Sequence, residues 1–109
     1  MSTGVRGPDA GAMTTLHVEN TVRDYEAWKE TFDQFDRARR DRGMRSYRLA
    51  RDHEDPSKVI VDMEFDSTTR AEEFREFLRG VIGTPQAQGH LLDHRPIVIL
   101  DVMEEQTLS

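Results

Sequence analysis

Two histidines stand four residues apart in His90-Leu91-Leu92-Asp93-His94, a spacing that on a helix puts both imidazoles on one side, where they could hold a metal ion. The set is incomplete. The glutamate that follows the first histidine in His-Glu-x-x-His is missing, no third ligand is evident, and Gly89 and Pro96 leave little room for a helix. No metal site is therefore expected. A single pocket imidazole, His90, could still act as a base or hydrogen-bond donor, because histidine titrates near neutral pH. Asn20 falls on the same side of a strand-like run as Leu16 and Val18, so its amide could orient a substrate oxygen or stabilise an enolate. It could equally be a strand-ending turn or cap residue. Tyr25 and Trp28 could wall a flat ligand or simply belong to a core.

Other chemistries lose their support for want of the residues. Without cysteine there is no thiolate nucleophile, disulfide or cysteine zinc site, which suits a reducing cytoplasm. No serine or threonine stands in a nucleophile elbow, and neither a phosphate loop nor a dinucleotide fingerprint is present. What is left is catalysis or binding by shape and electrostatics, with no cofactor. A net charge of -6 argues against nucleic acid or an anionic membrane as partner, since both demand a basic face. The basic run Arg37, Arg39, Arg40, Arg42 is interleaved with Asp36 and Asp41 and is expected to be the solvated C-terminal end of a helix, where cations suit the dipole.

With 109 residues the chain fits one domain. Residues 1–13, rich in glycine and small or polar side chains, are expected to form a disordered leader, or to follow an upstream start codon with Met13 as the true one. Residues 14–104 are the expected domain and 105–109 a tail. No apolar run reaches the length of a membrane span and no signal-peptide stretch opens the chain, which points to the cytoplasm.

The elements that must position these groups follow from periodicity. Residues 14–20 alternate as a half-buried strand, with Leu16 and Val18 against His17 and Glu19. Tyr25, Trp28, Phe32 and Phe35 recur at three- and four-residue steps, drawing one aromatic stripe along a helix over residues 25–42, with Asp24 to cap it and Gly43 to stop it. Residues 44–51 and 58–65 form a hairpin about the polar turn at residues 52–57. A second helix carries Phe74, Phe77, Leu78, Val81 and Ile82, with Thr69 and Glu72 at capping-box spacing and Gly80 and Gly83 to break it. Thr84-Pro85 opens a short third helix that runs until Arg95-Pro96. Residues 97–102, almost continuously apolar, are expected to be a strand buried on both faces.

The order is β-α-β-β-α-(α)-β, an α+β fold of the ferredoxin-like kind with helices on one face of a four-stranded antiparallel sheet. If Val59, Val61, Met63 and Phe65 face the helices, the other face carries Ile60, Asp62 and Glu64, with Arg45, Arg48 or Arg51 near those acids. Such a mixed face suits either a homodimer interface or solvent.

Three stretches, Val22-x-Asp24-Tyr25-x-x-Trp28-Lys29-x-x-Phe32-Asp33, then Glu64-Phe65-Asp66-Ser67, then Ala71-x-x-Phe74, resemble the small dimeric α/β-barrel proteins related to antibiotic biosynthesis monooxygenases. The resemblance spans residues 14–104. It implies two sheets packed into a barrel and, in each protomer, a pocket between helices and sheet. Some such proteins oxidise polycyclic aromatic polyketides without metal or flavin, others degrade haem, and others have no evident catalysis. The haem-degrading ones use a strand-1 Asn, matched by Asn20, and a nearby His, matched loosely by His90. They also carry a Trp where Phe74 and Phe77 stand here, which separates this chain from haem degradation. The resulting expectation is a cofactor-independent oxygenase or cyclase for a hydrophobic aromatic small molecule. Its catalytic groups would be Asn20 and His90, and its substrate wall Tyr25, Trp28, Tyr47, Phe74 and Phe77. The alternative is a non-catalytic ligand-binding or structural dimer.

Overall fold

The computed structural model describes residues 13–108; the expected leader, apart from Met13, lies outside them. Strand β1 (Thr14–Val22) runs at the middle of the sheet. Its inner face is set by strict alternation, and Leu16, Val18 and Val22 are buried while His17 and Glu19 look outward. After it come α1 (Tyr25–Gln34), α2 (Asp36–Asp41), β2 (Ser46–Arg51), β3 (Lys58–Phe65), α3 (Thr68–Ile82), α4 (Pro85–His90), β4 (Leu91–His94) and β5 (Val98–Asp101). The sheet is antiparallel in the order β2-β3-β1-β4, and β5 lies beyond β4 along the same edge of β1. That arrangement is the expected ferredoxin-like one with helices on one face, but the sheet has five strands rather than the expected four, because residues 91–94 add β4.

Strand β3 carries the core. Val59, Val61, Met63 and Phe65 are at most 3% exposed, and each such side chain withdrawn from water contributes about 1.5–3 kcal/mol. Phe65 packs on Phe74 of α3 at 5.5 Å between ring centroids. Register follows from this alternation: Leu16 pairs with Met63 and Asn20 with Val59, so a slip of one residue would turn the apolar set out to water.

Several boundaries differ from the sequence expectation, each for a local reason. The first helix breaks at Phe35, whose N–H donates to Phe32 O (3.1 Å) in a tightened turn before α2 restarts. Gly43 ends α2 at φ +92°, a left-handed conformation that L side chains resist. Of the polar residues 66–69 that could cap α3, Ser67 does so, accepting from the Arg70 N–H at 3.1 Å, while the capping-box position Thr69 lies inside the helix, which runs through Gly80 to Ile82 with Gly83 as its C-cap. Thr84 does cap α4, taking the Ala87 N–H. That third helix stops at His90, because residues 91–94 find ladder partners on β1 and become β4.

The last strand is not buried on both faces. Val98 and Leu100 are 43% and 45% exposed, because β5 is an edge strand whose outer face none of the described residues covers. On that outer face Arg48 sits opposite Asp62, as expected. Arg45 instead pairs with Asp66 (3.1 Å), while Arg51 turns to the helix side, 4.2 Å over the Tyr25 ring. Asp62 takes His17 as its partner, at 2.5 Å from Nδ1, and Glu19 takes Nε2 at 2.9 Å. The Thr15 hydroxyl donates to the Glu64 carboxylate at 2.8 Å. Among the described residues no helix is long and apolar enough to cross a membrane.

Candidate functional site

Between the inner face of the sheet and the helices lies a cavity of about 90 Å³. Its walls are apolar: Val18, Val61 and Met63 from the sheet, Trp28 and Phe32 from α1, and Phe74 and Phe77 from α3 among them. Four polar side chains reach it, those of Asn20, Thr31, Arg39 and His90.

Asn20 is delivered by the alternation of β1, two residues beyond Val18 on the inward side. It lies within the strand, paired with Val59 on one side and His94 on the other, so it is neither a turn nor a cap. Its side chain is 8% exposed, and Oδ1 is buried with no hydrogen-bond partner. A buried carbonyl left unmade costs about 1–3 kcal/mol, so the amide oxygen is poised to accept a donor.

His90 closes α4. Its carbonyl accepts the Arg23 N–H (3.0 Å), and its Nε2 lies 3.0 Å from the Thr31 hydroxyl of α1. This contact links the two ring nitrogens to two roles. If Thr31 donates to Nε2, Nδ1 carries the proton and is a donor; if Nε2–H donates to Thr31, Nδ1 keeps a lone pair and is a base.

The aromatic groups divide. Trp28, Phe74 and Phe77 line the cavity, and Trp28 stacks on Phe32 at 5.1 Å. Tyr25 lies outside the lining, 6.1 Å from Trp28, and Tyr47 stands at its back, edge-on to Phe32 at 5.4 Å and 41% exposed. His94 is separated from His90 because the two sit on different elements: it lines a polar surface recess with Glu19, Lys58 and Arg95. Among the described residues no group of three potential metal ligands occurs.

Arg39 overturns the expectation of a solvated basic run. Its neighbours Arg37, Arg40 and Arg42 reach water to varying degrees, but Arg39 is 4% exposed. Its guanidinium lies 3.8 Å over the Phe32 ring and 5.3 Å from Tyr47, and Nη1 donates to the Phe32 carbonyl at 2.8 Å. Burial draws its pKa below the ordinary arginine value, against the opposing influence of Tyr47, Asp36 and Asp33. The signal was in the spacing. Arg39 continues the stripe Trp28, Phe32, Phe35 by one more four-residue step.

No protein-family model and no curated protein matches the chain. Solved structures do. A protein of Nitrosomonas europaea named as a candidate antibiotic biosynthesis monooxygenase aligns with TM-score 0.65 at 18% identity, over 85% of this chain and 92% of that one. A Pseudomonas aeruginosa protein aligns with TM-score 0.63 at 19% identity, over 85% and 96%. A dimeric ferredoxin-like protein from an uncultured marine organism aligns with TM-score 0.62 at 11% identity, over 97% and 100%. Likenesses at this identity show a shared fold, and the fold they share is the ferredoxin-like α+β fold expected from the sequence.

Proposed function

We propose that two copies of this chain pair through the outer faces of their sheets and that each protomer holds a small, largely apolar molecule in the helix-covered cavity. The observation that carries this reading is the buried Asn20 Oδ1, an acceptor without a partner at an apolar cavity. Dimerisation is supported by the exposed Val98 and Leu100 on the mixed outer face and by the dimeric state named for one structural neighbour.

Within that reading the chemistry is cofactor-independent oxygenation. His90 would take the proton of an activated phenol or enol, and Asn20 Nδ2–H would donate to the oxygen where charge develops, leaving Oδ1 to accept from a donor elsewhere on the ligand. Dioxygen from solution is the oxidant. The enolate's α-carbon, a CH₂ in the keto form, adds dioxygen, and the hydroperoxide so formed breaks its O–O bond and loses water to leave C=O, so one oxygen atom enters the product and the other leaves with the two hydrogens. The name of the Nitrosomonas neighbour favours this class.

One magnitude restricts the substrate. An engineered protein cavity of roughly 150 Å³ admits benzene, so about 90 Å³ encloses a short chain or part of a single ring and excludes a polycyclic compound. The same small volume favours a second reading, a binding dimer without catalysis. Oxygen uptake with small enolisable cyclic ketones separates the two. The enzyme reading predicts turnover that falls about 100-fold or more in His90→Ala and falls in Asn20→Ala, with melting temperatures nearly unchanged. No uptake above a protein-free control, with the ligands still raising the melting temperature, leaves the binding dimer.

A further inference from the structure

The guanidinium of Arg39 is fixed on one side and unpartnered on the other. Nη1 is taken by the Phe32 carbonyl, and the plane is held against the Phe32 ring. Nε and Nη2, both buried, have no hydrogen-bond partner. These two nitrogens are neighbours on the guanidinium and point their N–H bonds the same way. That edge fits the two oxygens of a carboxylate.

Among the described residues no carboxylate meets that edge. The nearest candidates are occupied elsewhere: Asp36 pairs with Arg40 at 2.8 Å and Asp33 with Lys29 at 2.7 Å, and among the described residues Arg39 has no ion pair. Asp36 and Asp33 act on Arg39 only through space, so its Nε and Nη2 donors are withdrawn from water with no acceptor, a cost that a ligand bringing oxygens to that edge would relieve. Arg39 and Asn20 line the same apolar cavity, and they ask for complementary things, an anion and a donor.

We infer that the cavity takes a small organic acid, its carboxylate or enolate oxygens seated on the Nε–Nη2 edge of Arg39 and its apolar body against Trp28, Phe32 and Phe74. This rests on the ligand-binding reading above and names the ligand's chemistry. A hydroxyl or N–H elsewhere on the same molecule would satisfy Asn20 Oδ1. Arg39 is then a determinant of specificity: it discriminates acids from neutral isosteres because the neutral compound leaves its donors buried and unmet.

The experiment is calorimetric titration of the full chain with two acids, butyrate and benzoate, each against its amide. At least one acid should bind about tenfold or more tightly than its amide, as expected for a charge-assisted bidentate contact, and Arg39→Gln should remove the difference while the amide still binds. Equal affinity of acid and amide in the native chain overturns the inference even if Arg39→Gln does not fold, and leaves the cavity reading standing. Preference for the acid that survives in Arg39→Gln also overturns it. Failure of all four compounds to bind overturns both the inference and the reading on which it rests.

Discussion

Asn20 and Trp28 meet at one cavity for opposite reasons, and their substitutions should separate binding from stability. Asn20 carries an unmet buried oxygen, so Asn20→Leu removes a polar burden and fills the same space. It should leave the melting temperature unchanged or raise it, while abolishing any ligand-induced shift. A loss of stability would mean that Asn20 serves the fold. Trp28 is 9% exposed and sits in a row of rings with Tyr25 and Phe32, so Trp28→Ala should cost about 3–5 kcal/mol, read as a lowered urea midpoint. At this scale the sequence was only partly legible. Asn20, His90 and the Trp28–Phe32 stripe stood out by type and spacing. Arg39 did not, because a cation in a basic run is ordinarily solvated, and its charge outweighed its place four residues beyond Phe35 on the aromatic stripe.

Between residue and molecule, the elements answer to local signals, and the errors show which signals compete. The alternation of β3 and the caps at Asp24 and Thr84 were readable because each is enforced over a few residues. The strand at residues 91–94 was not, since its pairing with Asn20, Thr21 and Val22 is a long-range contact that helix-like spacing conceals. Gly43 marks the tightest joint. At φ +92°, with Arg70 Cδ 2.7 Å from where a Cβ would stand, Gly43→Ala should destabilise by about 1–2 kcal/mol, measured by denaturant titration; an unchanged midpoint would show the turn to be adaptable. The outer face of the sheet carries a pH signature as well. Glu19 first, then Asp62, hold the His17 imidazolium and raise its pKa above the ordinary 6.5, with Arg48 opposite Asp62 and Lys58 and Arg95 near Glu19. A raised folded-state pKa stabilises most fully below the unfolded value and loses that contribution as pH rises through the folded one. The melting temperature should therefore fall from pH 6 to pH 8.5, and His17→Gln should flatten that fall. An equal slope in the variant would assign the dependence to other groups.

For the molecule as a whole, the central claim is that the helix-covered cavity is a binding site and that the sheet's outer face is where copies pair. Light scattering should give twice the protomer mass at micromolar concentration, and Leu100→Lys, which places a charge on the exposed edge strand, should shift the population toward single chains. The site itself is tested most directly by titrating isotope-labelled protein with benzoate and following nitrogen–proton resonances. The account predicts that the Asn20 side-chain amide, the Arg39 Nε–H and backbone signals around Thr31 and His90 move together with one saturation curve, while those of the outer face at residues 15–19 stay in place. Saturable shifts confined to the outer face, or none at the cavity up to the solubility limit, would contradict it.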